Sequence, residues 1–112
     1  MVYLMNSLIV PVNFDDDEMK EVLIRLKRVS IEEVREILRK TEWESVIGHA
    51  GTSELLTELL GIQIPVQRKT IYFKRGDRGV HFYLKTRLGE GVVLSKTELS
   101  QLDFWWVVSE VL

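Results

Sequence analysis

The chain has 112 residues, 46% hydrophobic and 29% charged, with 15 Lys and Arg against 17 Asp and Glu and a formal net charge of -2. That length supports one domain over residues 1–112 with a core large enough to fold unaided. There is no cysteine and there are only two histidines, so disulfides, thiolate metal sites and thiol nucleophiles are excluded, no metal or other cofactor is expected, and the acidic balance argues against a protein that coats long nucleic acid.

The amino terminus, Met1 to Phe14, carries no basic lead or cleavage site of a secretory signal, and no stretch approaches the roughly 20 apolar residues of a membrane span. A cytoplasmic protein without membrane contact is expected. Val2 to Ser7 reads as a short buried strand, followed by a solvated loop holding Asp15, Asp16 and Asp17. Met19 to Val29 alternates, with Val22, Ile24 and Leu26 on one face, as a half-buried strand does. Ser30 and Glu33 have the spacing of a capping box, which predicts a helix to about Lys40 that buries Ile31, Val34, Ile37 and Leu38. A second helix follows Gly48-His49-Ala50-Gly51-Thr52, with Leu55, Leu56, Leu59 and Leu60 as its apolar stripe and Gly61 as its stop.

The next stretch predicts a hairpin. Arg68 to Lys74 and Val80 to Arg87 both alternate around the turn residues Arg75-Gly76-Asp77-Arg78-Gly79, which puts His81, Tyr83, Lys85 and Arg87 on one polar face. Ser95 to Leu102 has a helix signature, and Phe104 to Val111 reads as a buried or dimer-facing strand. Alternating strand and helix periods define the class as α/β.

Three features carry chemistry. His49 stands just before a helix, where unpaired amides and the helix dipole attract phosphate, and an imidazole with a pKa of about 6.5 there can protonate a leaving oxygen. On spacing alone, a histidine that merely fills the turn and caps the helix is the commoner arrangement. Arg87 and Glu90 lie close together beside Gly89 and Gly91, and the Arg can clamp a phosphate; an ordinary surface pair has the same spacing. Arg68, Tyr72, Tyr83 and Lys85 mix cations with rings that stack bases, although a solvated sheet face has the same composition.

Four blocks in register extend the reading: Val2-Tyr3-Leu4-Met5-Asn6-Ser7; Ser45-Val46-Ile47-Gly48-His49 leading into Glu54-Leu55-Leu56 and Leu60-Gly61; Gly76-Asp77-Arg78; and Arg87-Leu88-Gly89-Glu90-Gly91-Val92-Val93-Leu94. Together they resemble the ring-nuclease anti-CRISPR family of archaeal viruses, which has relatives in other viruses and in cells. The resemblance implies a mixed sheet of about five strands flanked by helices, a homodimer, and cyclic tetra-adenylate bound where two subunits meet. Position by position it assigns His49 as general acid, with Arg87 and Glu90 at the catalytic centre and Arg68 and Asn6 on the substrate. Gly51 and Thr52 would offer backbone amides, because Ala50 and Gly51 stand where some relatives have polar side chains. Tyr83 occupies a position at which some relatives have Gln. Two other classes compete: a sponge that binds the ring without cutting it, and a dimeric module for protein or DNA.

Overall fold

The computed structural model describes residues 1–85 and 104–112. Arg87, Glu90 and the helix expected from Ser95 lie outside the described residues.

Five strands form one mixed sheet: β1 (Val2–Met5), β2 (Ile24–Val29), β3 (Trp43–Ser45), β4 (Arg78–Leu84) and β5 (Phe104–Val111), in the order β2-β5-β4-β1-β3. β1 pairs in parallel with both β3 and β4, whereas β5 runs antiparallel to β4 and β2. The first four strands therefore point the same way. Their carboxyl ends and the start of β5 share one edge of the sheet.

Two helices, α1 (Ile31–Lys40) and α2 (Ala50–Leu60), cross the same face. α1 begins where the capping box predicts: the Glu33 amide donates to the Ser30 hydroxyl at 3.2 Å. It stops at Thr41, whose amide and hydroxyl both donate to the Ile37 carbonyl. Its inner residues Val34 and Leu38 are buried, with Ile31 and Ile37 packed at the margin. α2 buries Leu55, Leu56 and Leu60 and ends on Gly61 in the left-handed region, at φ 70°. These stripes meet Val2, Leu4, Val80, Phe82 and Trp106 from the sheet to make the main core.

The opposite face has a smaller core of Met5, Met19, Phe73 and Val111, flanked by Val12, Val22 and Ile71. It is built by irregular chain rather than helices. A 3₁₀ turn over Asp17–Met19, capped by Asp16, inserts Met19, and the extended stretch before β4 inserts Phe73.

That stretch corrects the expected hairpin. Residues 63–74 are not a strand, and β4 lies between β1 and β5. Single backbone bonds, Gln67 to Ile47 and Phe73 to Pro11, hold the segment across the sheet instead of a ladder. The expected turn does form: Gly76 has φ 89°, and the Asp77 carboxylate accepts from the Lys74 amide at 2.8 Å. Arg78 and Gly79, expected in that turn, already belong to β4. β2 is shorter than expected and lies at the sheet margin, so Ile24 and Leu26 share a face but are exposed.

Candidate functional site

The carboxyl edge gathers the candidate site. Loops leave β1 and β3 there, and both helices start there, so their unpaired leading amides and positive dipole ends add to its attraction for anions. Ligands of α/β sheets bind at such edges, outside the carboxyl ends of the parallel strands.

His49 is the N-cap residue of α2, with φ -123° and ψ 127°, exposed, and its imidazole makes no capping bond. A merely capping histidine would turn its ring back onto the helix amides. Here the first backbone bond of the helix is Ser53 N to His49 O at 3.0 Å, so Ala50, Gly51 and Thr52 supply the leading amides. Gly51 and Thr52 are half-buried in that first turn.

Arg68 comes alongside from the segment that replaces the hairpin arm. Its side-chain stem packs on Gly48, where a Cβ would lie 3.0 Å from the Arg68 Cγ and 3.3 Å from its Cβ. Only glycine lets the arginine pass so closely, one residue before the histidine. The Gln67 side chain fixes this approach by donating to the Ser45 carbonyl at 3.1 Å, and Lys69 pairs with Glu44 on β3. Asn6 lies just past the end of β1, half-buried, at the same edge. His49, Arg68, Asn6, Gly51 and Thr52 thus belong to one end of the domain, which is also where the chain leaves β4 at Leu84 and returns at Phe104.

The second histidine behaves differently from its expected place on a polar face. His81 is fully buried. Its Nδ1 lies 2.9 Å from the Ser7 carbonyl and its Nε2 2.7 Å from the Ser109 hydroxyl. The carbonyl can only accept, so Nδ1 carries the proton and Nε2 accepts from Ser109. Burial pushes the His81 pKa below its ordinary value, against the opposing pull of the Ser7 carbonyl. Its alternation with Tyr83 and Lys85 is real, but at this level the face is closed over. His81 ties the chain just after Asn6 to β5, a structural duty that a lone histidine in an alternating run does not announce.

Above His81 on the same face, Tyr83 and Trp105 are cross-strand partners with rings stacked at 5.6 Å and 7°. The Lys85 ammonium sits 4.4 Å from the centre of the Trp105 ring. Trp106, the other half of the tryptophan pair, is buried in the main core against Phe82.

Among the described residues the fold is a small mixed α/β domain of five strands and two helices, with an exposed histidine and an exposed arginine beside one helix start. The chain belongs to the STIV B116-like family, whose profile matches residues 2–106. It is 35% identical over 105 residues to uncharacterized protein 26 of Sulfolobus islandicus filamentous virus, covering 93% of this chain and 86% of the relative. It is 40% identical over 107 residues to uncharacterized protein ORF117 of Acidianus two-tailed virus, covering 93% and 87%. YddF of Bacillus subtilis is 30% identical over 82 residues, covering 71% and 76%. The fold matches that of B116 of Sulfolobus turreted icosahedral virus with a TM-score of 0.73 over 97% of each chain, at 22% identity. Among the described residues, no helix is long and apolar enough to cross a membrane.

Proposed function

We propose that this protein is a metal-independent ring nuclease that binds cyclic tetra-adenylate between two copies of itself and cuts it to linear di-adenylates, suppressing type III CRISPR signalling. The observation that carries this reading is His49: exposed, uncommitted to capping, set at the start of α2 with the Arg68 stem packed against the glycine before it. Kinship with proteins of archaeal viruses supports the biological setting.

In this reading a phosphate of the ring lies on the leading amides of α2, with Arg68 and Asn6 holding the neighbouring backbone. The adjacent ribose 2′-hydroxyl attacks phosphorus and releases its proton to solvent water, the bond from phosphorus to the 5′-oxygen breaks, and the His49 imidazolium gives its proton to that oxygen. The products carry a 2′,3′-cyclic phosphate and a 5′-hydroxyl. Arg87 stabilises the charge gathered on the phosphorane and Glu90 orients the arginine or the attacking hydroxyl. Positioning of the nucleophile removes several kcal/mol from the barrier, and a placed acid contributes about 10²- to 10⁴-fold. A two-fold dimer presents one His49 to each of two opposite phosphates, which accounts for two cuts.

The test is incubation of purified protein with cyclic tetra-adenylate and EDTA, with chromatography of the products. Linear di-adenylates are expected, and His49→Ala should lower the rate by about 10²- to 10⁴-fold while binding persists. A ring that raises the melting temperature without ever being cut defines a sponge and ends the catalytic reading; a ring that changes neither ends the ligand assignment as well.

A further inference from the structure

The aromatic cluster at the carboxyl edge is not accounted for by the proposed acid and phosphate contacts. We propose that Tyr83, Trp105 and Lys85 form a stacking subsite for a purine base of a nucleotide ligand. This deepens the ring-nuclease reading and rests on it for the identity of the natural ligand, but the chemistry of the subsite stands on its own geometry.

Tyr83 and Trp105 are both half-buried, with parallel rings stacked at 5.6 Å between centroids. Such a pair is a rigid π-stack, and a purine can extend it on an outer ring face with little sequence preference. Among the described residues, the exposed Lys85 side chain places its ammonium over the indole. An incoming base can take the place of that cation, which then swings to the phosphate attached to the base. The surrounding charge favours an anion. On this face of β2, β5 and β4 the charged residues are Arg28 and Lys85, with no carboxylate among the described residues, while Glu110 lies on the opposite face beside Arg25.

Position completes the argument. Among the described residues, the helices lie on the other face and the small core on this one is centred nearer Met5 and Val111, away from the rings. β4 and β3 are separated by one strand, a lateral distance of about 9–10 Å. The amides that follow β3 and the rings that end β4 therefore open on the same carboxyl edge of the sheet.

Tryptophan fluorescence, titrated with linear di-adenylate and separately with inorganic phosphate, tests the subsite. Di-adenylate should quench and phosphate should not, and Trp105→Phe should remove most of the response although Trp43 and Trp106 remain. Tyr83→Thr, which keeps a strand-forming residue but deletes the ring, should weaken di-adenylate binding by about 5- to 100-fold, while Tyr83→Phe binds as the parent does. Lys85→Glu is the second variant, exposed enough to leave folding untouched, and should weaken binding too. Unchanged affinity in folded Tyr83→Thr, or in Lys85→Glu if the first does not fold, overturns the proposal, as does a quench that survives Trp105→Phe. The two readings fail separately. Stacking of di-adenylate without any ring cleavage sinks the nuclease and leaves the subsite; cleavage by Tyr83→Thr with unchanged KM sinks the subsite and leaves the nuclease.

Discussion

Replacing Gly79 by alanine should be among the most damaging single-methyl changes available in this fold. Gly79 faces Ser109 across the β4–β5 ladder and precedes His81 by two residues, so all three share one face. Its backbone is not in the left-handed region, which among the described residues only Gly61 and Gly76 adopt, so a side chain meets no conformational penalty there. The obstacle is space alone. A Cβ at Gly79 would fall inside contact distance of His81 Nε2, 2.6 Å from the Ser109 hydroxyl and 2.8 Å from His81 Cε1. Both neighbours are fully buried and bonded to each other at 2.7 Å, so neither can give way as a surface chain would.

Forcing them apart loses the Ser109–His81 bond and strands buried polar atoms, which costs about 1–3 kcal/mol, and overpacking adds about 1–3 more. The sum, roughly 2–5 kcal/mol, should lower the melting temperature by roughly 8–20 °C in a domain of this size. Calorimetry of Gly79→Ala, His81→Val and the double variant checks the cause as well as the size. With the imidazole gone, the alanine penalty should shrink below about 1 kcal/mol. A single variant that melts within about 2 °C of the parent, or a penalty of the same size in both backgrounds, would refute the steric account.

The same histidine sets a pH dependence. Its folded pKa lies below the ordinary 6.5, so below that pH the unfolded chain binds the proton more readily and stability falls as pH drops. Chemical denaturation from pH 7.5 to 5 should show this slope and His81→Val should flatten it; equal slopes in both proteins would contradict it. Arg75 donates to the backbone carbonyls of Leu112, Glu18 and Glu21 at 2.8–2.9 Å, so Arg75→Ala should cost about 1–3 kcal/mol and Arg75→Lys should restore only part, measured by urea melts. Gly48→Val should push the Arg68 stem aside, weakening cyclic tetra-adenylate binding about tenfold with little change in melting temperature; calorimetric titration alongside thermal melts separates the two effects.

Where local chemistry alone dictates structure, it can be read from the chain. Ser30 with Glu33, and the leucine stripe ending on Gly61, place both helices almost to the residue, because caps and stop signals act within one turn. The run from Phe104 is equally plain. Residues 68–74 mislead because alternation reports which side chains are buried, not whether a neighbouring strand exists. Phe73 is buried and Tyr72 exposed, as the pattern demands, yet the segment lies beneath the sheet rather than within it. β3 is illegible for the opposite reason: three residues are too few for a period, and its place is fixed by partners far away in the chain.

Of the candidate site, His49 and its glycine are legible because a turn before an apolar stripe is a local signal. The approach of Arg68 to Gly48 is not, since it depends on Gln67 reaching back to β3. His81 lay hidden because its seclusion is imposed by Ser7 and Ser109, one from each end of the sequence.

The turn at residues 75–78 grips both extremities of the described chain. The Met1 ammonium pairs with Asp77, the Met1 carbonyl accepts from the Arg78 amide, and the Val111 and Leu112 carbonyls accept from Gly76 and Arg75. Residues 1 and 112 are thus moored at the amino ends of β1 and β4, on the far side of the sheet from His49. A short peptide linker could splice head to tail without bending a strand, and a permuted chain reopened elsewhere should retain the architecture. An affinity handle or bead tether at either extremity leaves the opposite rim clear of the attachment.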